Sequence, residues 1–120
     1  MEVLYRSTRG NGSTVTASNA ILKGLSEDGG LFVPDQIPVL DVPMEQLAQM
    51  SYQEVAYEVM SRFLTDFTEE ELKHCINSAY DQKFDTEVIA PLVKADDAYY
   101  LELFHGKTIA FKDMALSILP

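Results

Sequence analysis

Two amphipathic stripes, each opened by a capping box, constrain the fold of this chain more than anything else in it. Tyr52, Val55, Ala56, Val59, Met60, Phe63 and Leu64 recur at helical spacing, which gathers them on one face of a helix. Ser51 precedes the stripe with Glu54 three residues on, so each side chain can satisfy a backbone amide that a helix start leaves unpaired. Thr68 and Glu71 repeat the box ahead of a second stripe, Leu72, Cys75, Ile76, Ala79 and Tyr80. Pro43, in the first turn of a short helix over residues 45–50, completes a helical cluster expected to run from about Pro43 to Ala90. Asp66, Glu69, Glu70 and Glu71 lie at or before the first turn of the second helix. The helix dipole favours negative charge there, which accounts for them without a metal ion.

The segments before this cluster are shorter and more irregular. Val3-Leu4-Tyr5 and Ser13-Thr14-Val15-Thr16 lean towards strand, with Gly10-Asn11-Gly12 between them as a turn. Ser18 is placed to cap a short helix over Ala20-Ile21-Leu22 that Gly24 closes. Asp28-Gly29-Gly30 reads as another turn and Leu31-Phe32-Val33 as a short strand, with Pro34 and Pro38 stopping anything regular beyond it. The spacing predicts a packed irregular layer and not a linker.

Charge and cysteine content narrow the function. Nine lysines and arginines against nineteen aspartates and glutamates give a net charge of −10, which argues against nucleic acid or an anionic membrane as partner. A solvated acidic surface is the ordinary reading. One cysteine, Cys75, excludes an intrachain disulfide and a cysteine-rich metal site. Its place on the second stripe makes it a small buried hydrophobe, with a reactive thiol as the alternative. His74 has no second soft ligand at zinc spacing and reads as an exposed helix residue. Neither a signal-peptide pattern nor an apolar run near the ~20 residues of a membrane helix is visible, so a cytoplasmic location is the expectation.

The last section carries the chemistry. Residues 99–104 read as a strand with Tyr99, Leu101 and Leu103 on one face, and His105-Gly106-Lys107-Thr108 as a tight turn. Phe111, Met114, Ala115 and Ile118 then recur at helical spacing, so a helix is expected from near Thr108 as its cap, with Lys112 in its first turn. The positive end of the helix dipole and partial burial among Phe104, Ile109 and Phe111 would both disfavour an ammonium there. A lysine held partly neutral is the nucleophile that Schiff-base chemistry requires. Asp113 works the other way, and on these grounds alone a lysine beside an aspartate is ordinarily a surface residue.

A resemblance adds what spacing does not. The run from Leu101 to Leu116, Leu-Glu-Leu-Phe-His-Gly-Lys-Thr-Ile-Ala-Phe-Lys-Asp-Met-Ala-Leu, closely resembles the cofactor-lysine segment of threonine synthases. Tyr5-Arg6-Ser7-Thr8-Arg9-Gly10 is similar to the family's opening motif. Ala20-Ile21-Leu22-Lys23-Gly24-Leu25, followed by Asp28-Gly29-Gly30-Leu31-Phe32-Val33-Pro34, is similar to its next block, and Pro91-Leu92-Val93 sits where the family enters the strand before the lysine. Two departures stand out: Lys107 where many members carry proline, and Ser117 where they carry glutamine. Lys107 could assist phosphate binding or simply point into solvent.

The resemblance implies a fold type II enzyme that uses pyridoxal 5'-phosphate to convert O-phospho-L-homoserine and water to L-threonine and phosphate. Lys112 matches the lysine that holds the cofactor, and Phe111 is a candidate for packing near its ring, with plain core packing the alternative. The implied class is α+β, with a mainly helical N-terminal domain over residues 1–95 and the first strand, turn and helix of the catalytic domain over 96–120. The missing C-terminal catalytic domain would pack on the terminal helix, whose apolar face, with Ile118 and Leu119, would otherwise be exposed. The loop that cradles the cofactor phosphate is not among these residues, so the piece alone is expected to be inactive. His105 could shuttle a proton or, more simply, stabilise its turn by a hydrogen bond. Two other readings remain: a non-catalytic module that keeps the fold, and another fold type II lyase such as a threonine or serine dehydratase-like enzyme.

Overall fold

The computed structural model of the chain describes residues 2–10 and 12–120. In order, its elements are β1 (Tyr5–Ser7), α1 (Ala17–Lys23), β2 (Phe32–Pro34), α2 (Met44–Leu47), α3 (Tyr52–Phe63), α4 (Glu69–Ala79), β3 (Leu92–Ala95), β4 (Ala98–Leu101) and α5 (Asp113–Leu116). The class is α+β, with β1–β2 and β3–β4 as separate two-stranded antiparallel sheets. No helix is long and apolar enough to cross a membrane among the described residues.

Both capping boxes form. The Ser51 amide donates to Glu54 Oε2 at 2.7 Å and the Glu54 amide returns to Ser51 Oγ at 3.2 Å. Thr68 and Glu71 do the same at 2.8 and 3.3 Å. The stripe of α4 then buries Leu72, Ile76 and Ala79, with Tyr80 just beyond. Ile76, Ala79, Tyr80, Phe84 and Ile89 make the core, against which Tyr52, Ala56 and Met60 of α3 pack half-buried. The Tyr52 ring meets Tyr80 edge-on, 4.9 Å between centroids, a favoured aromatic geometry.

Three details depart from the periodicity. Cys75 is exposed and not buried, because successive helical positions are about 100° apart and the core side of α4 is set by its neighbour Ile76. The helices stop at Ala79, short of Ala90; residues 81–90 are irregular, yet Phe84 and Ile89 from them plug the core. Pro43 is the N-cap residue of α2 and not part of its first turn, and α2 ends at Leu47. Its ring nitrogen has no proton to offer, but its carbonyl accepts from the amides of Gln46 and Leu47.

The opening does form a packed layer. β1 pairs with β2 in the register Tyr5↔Pro34, Arg6↔Val33, Ser7↔Phe32, and Val15 adds a bridge to Tyr5. Asn11, in the expected turn, lies outside the described residues; Gly10 before it takes φ +79°, as a turn glycine can. Thr16, not Ser18, caps α1, its extended backbone letting its hydroxyl accept from Asn19. Ser18 is engaged elsewhere, its hydroxyl and amide both donating to Asp66 Oδ2 at 2.5 and 3.1 Å. Gly24 closes the helix at φ +71°, as expected. The layer is tied to the end of α3 by two further bonds. The Val3 amide donates to Thr65 Oγ1 at 3.0 Å. Tyr5 Oη donates to the Phe63 carbonyl at 2.9 Å, an acceptor that a helix end leaves unpaired.

Candidate active site

Lys112 is reached through a hairpin and a short strained loop. β3 and β4 pair from Leu92↔Leu101 to Ala95↔Ala98, leaving Asp96 and Asp97 as the turn. Asp96 sits at φ +53°, a region that aspartate enters more readily than most side chains. β4 ends at Leu101 and not at Phe104, although the Glu102 amide still reaches the Pro91 carbonyl at 2.9 Å. The chain then leaves the sheet because His105 is held elsewhere. Its carbonyl accepts from the Asp85 amide at 3.0 Å. Its Nδ1 lies 2.5 Å from Asp85 Oδ1 and its Nε2 2.7 Å from Glu102 Oε2.

The loop that follows, residues 106–112, does not start a helix at Thr108. Ile109 takes φ +67°, an uncommon and costly conformation for a β-branched residue, and it interrupts the helical run. The expected cap is inverted as well. Thr108 donates both its amide and its hydroxyl to the buried carboxylate of Asp113, at 2.7 and 2.6 Å. Gly106 is buried beneath this contact; a Cβ there would stand 2.5 Å from Asp113 Cβ. The helix is therefore the short α5, and Lys112 is its N-cap residue, one step before the first turn.

Lys112 is exposed. The apolar enclosure expected from Phe104, Ile109 and Phe111 is absent in this chain, since these side chains are 48%, 72% and 66% exposed. The loop's conformation turns them outward, and Asp113, which could have paired with the lysine, is taken up by Thr108. None of the ion pairs among the described residues includes Lys112. Phe111 and Lys112 are thus both open to solvent. Lys107 is exposed at the start of the same loop.

α5 is better anchored than its length suggests. Met114 and Ile118 pack half-buried on the core, and Tyr80 Oη donates to the Met114 carbonyl at 2.6 Å. Burial first, and then Tyr52, pushes the Tyr80 hydroxyl up to about 12, so it remains a donor at any ordinary pH. The terminal apolar face is thus only partly exposed: Leu116 and Leu119 are open, Ile118 is not. An apolar cleft of about 510 Å³ runs beside it between Leu22, Met60, Leu64, Cys75, Ile118 and Leu119. A larger, more polar cleft of about 630 Å³, lined by Asp41, Tyr57, Arg62 and Glu69 among others, includes no residue of the lysine loop.

Two pieces of this architecture have no signature in spacing. Ser7 is buried, and its hydroxyl donates to the Asp28 carboxylate at 2.7 and 2.9 Å. The Gly30 amide donates to the same carboxylate at 2.9 Å, the Leu31 amide to Thr8 Oγ1 at 3.0 Å, and Arg9 Nη1 to the Asp28 carbonyl at 2.9 Å. Gly30 is required by closeness, since a Cβ would lie 2.2 Å from Ser7 Oγ. The Ser-Thr-Arg and Asp-Gly-Gly blocks are one structure. The second piece is the Asp85–His105 pair, which joins residues twenty apart; the sequence offered only His105 as a residue that could stabilise its turn by a hydrogen bond.

A family model described as "Threonine synthase N terminus" matches residues 4–80. This chain belongs to that family. Threonine synthase of Schizosaccharomyces pombe is 40% identical over 121 residues, covering 98% of this chain and 24% of that protein. The crystal structure of PLP-bound threonine synthase from Brucella melitensis superimposes with a TM-score of 0.86 at 37% identity, over 98% of this chain and 26% of that one. Yeast threonine synthase gives a TM-score of 0.88 at 35% identity, over 97% and 25%. The chain spans about a quarter of the length of these relatives. The family match ends at Tyr80, but the likeness to the solved threonine synthases continues through the hairpin and the Lys112 loop.

Proposed function

We propose that this chain is the N-terminal quarter of a longer threonine synthase, acting on O-phospho-L-homoserine and water to give L-threonine and phosphate. The observation that carries the reading is Lys112, an exposed primary amine on a strained loop, in a chain folded like threonine synthases along nearly its whole length. Its domain order would be a threonine-synthase-like domain over residues 1–95 and the opening of the catalytic domain over 96–120, the hairpin crossing the join. A cytoplasmic location goes with this reading.

The residues present fit one part of a pyridoxal 5'-phosphate site. Among the described residues no ion pair includes Lys112, which is exposed and open to an aldehyde. The exposed Phe111, next to it in the chain, is the candidate to pack near the pyridine ring. The one Gly-Gly pair cannot cradle the phosphate, because Gly30 is enclosed by Ser7, Thr8 and Asp28 and leads into β2. That cradle belongs to the remainder of the longer protein. When bound, the cofactor would supply an electron sink for carbanions next to the substrate nitrogen. The protein's share is to hold it through Lys112 Nζ, to carry protons at that nitrogen, and to place it by the loop from Gly106 to Asp113.

The test is phosphate release from O-phospho-L-homoserine by the full-length protein with pyridoxal 5'-phosphate, alongside its Lys112→Ala variant. Release by the parent, with threonine formed and the variant silent, is expected. A folded, cofactor-loaded parent that releases no phosphate would overturn the assignment in favour of another pyridoxal-phosphate lyase; failure to take up cofactor at all would favour a non-catalytic module.

A further inference from the structure

We infer that His105, gripped between Asp85 and Glu102, is a positioning residue that fixes the loop presenting Lys112. The inference rests on the reading of Lys112 given above. Asp85 follows Phe84, which is buried in the core, and it holds residue 105 twice, by its amide to the carbonyl and by its carboxylate to the ring. Glu102, just past β4, takes the other ring nitrogen. The ring itself lies against Phe104, 4.5 Å between centroids, with its side chain only 14% exposed. A mechanical line therefore runs from the core through Phe84 and Asp85 to His105, and from there into Gly106 and the loop.

Little else holds this loop from that side. Ile109 and Phe111 are exposed and contribute no enclosed packing, and Ile109 is in a strained backbone region that surrounding contacts must maintain. Asp113 secures the far end through Thr108. The start is tied to the core through His105; without its ring the Asp85 amide would still hold the His105 carbonyl, and the loop's own Ile109 amide the Gly106 carbonyl.

The geometry also fixes the ring's protonation. Both nitrogens face carboxylate oxygens, which can only accept when ionised, so both must carry protons. Such an imidazolium has no free lone pair and cannot act as a general base, and both of its protons are held by carboxylates. The hydrogen bond to Glu102 is the main influence raising the ring above its ordinary value near 6.5, desolvation opposing it and Asp85 adding to it. The titratable groups facing the ring are Asp85 from the irregular segment and Glu102 from the strand extension.

Two measurements test the proposal. Nitrogen-15 NMR of this chain resolves its two histidines, with exposed His74 as the internal control. The His105 ring should titrate above the ordinary imidazole value near 6.5, and amide exchange across residues 106–112 should speed up in His105→Gln. A His105 that titrates at or below 6.5, or unchanged exchange in the variant, would overturn the clamp even if the enzyme assignment failed. In the full-length protein, His105→Gln should lower kcat about tenfold or more and move the cofactor absorption band, with KM changed by no more than about twofold. His74→Gln should change nothing. Asp85→Asn, which keeps an acceptor but loses the charge, should fall between and lower the His105 midpoint. A folded His105→Gln or Asp85→Asn enzyme with wild-type kcat and absorption band would refute the positioning role.

Discussion

The α3–α4 pair and the lysine loop are built on opposite principles. In the pair, two capping boxes define the helix starts and apolar side chains from α4 and the following segment close over Ile76, which is 1% exposed. In the loop, apolar side chains face outward and shape is kept by carboxylates: Asp113 on Thr108, and Asp85 with Glu102 on His105. The first arrangement draws on burial, which is non-directional and strong in sum. The second draws on directional, charge-assisted bonds that place a few atoms closely. A chain that has to present an amine at an open surface needs the second kind where it needs accuracy, and the first kind to support it.

Substitutions separate the two regions. The largest effect is expected from Ile76→Ala, at about 3 kcal/mol, since a fully buried isoleucine leaves both lost transfer energy and a cavity. Urea unfolding of the chain measures it, and a loss under about 1 kcal/mol would place the core elsewhere. Gly106→Ala comes next, at about 2 kcal/mol, because the new methyl meets Asp113 at a spacing that forces movement. Its amide exchange should rise between residues 106 and 113 while α4 stays protected; uniform loosening would mean that the regions are not separable. Thr68→Ala should cost about 1 kcal/mol and fray the start of α4 without touching the loop.

The smallest expected effect is on pH. The pKa of His105 is raised in the folded chain, so the stability it confers is complete below the unfolded value near 6.5 and is lost as pH rises through the higher folded value. Loop protection should therefore decline on the alkaline side in the wild type and show no such step in His105→Gln. A wild type whose loop loosens as pH falls from 7 to 6 would have the sign wrong.

The helical pair was legible because every part of it is local: box, stripe and helix end lie within a few turns of one another. The strands were legible only in part. Phe32-Val33 and Tyr99 to Leu101 lie in β2 and β4, but β1 runs over Tyr5–Ser7 and not over residues 3–5. Residues 13–16 give only the Val15 bridge, because strand pairing depends on partners that periodicity does not name. The errors cluster where long-range bonds compete with local ones. Ser18 is a good cap in isolation, but Asp66 takes it and Thr16 caps instead. Thr108 looks like a cap, but Ile109 turns left-handed and Asp113 reverses the donor and acceptor. Cys75 lies on the stripe, but its side of α4 lines the open apolar cleft with Leu64 and Ile118 and not the closed core around Ile76. At the site, Lys112 itself was found through its segment's resemblance to threonine synthases, whereas Asp85 is in no motif and emerges only when the chain folds back onto His105.

The most direct test of the role given to Lys112 is borohydride reduction of the full-length protein loaded with pyridoxal 5'-phosphate, followed by peptide mapping of the modified lysine. The expected result is one pyridoxyl group, on the peptide containing Lys112 and absent from Lys112→Ala. A label on Lys107 or on any other lysine, with Lys112 unmodified in a cofactor-loaded protein, would contradict it.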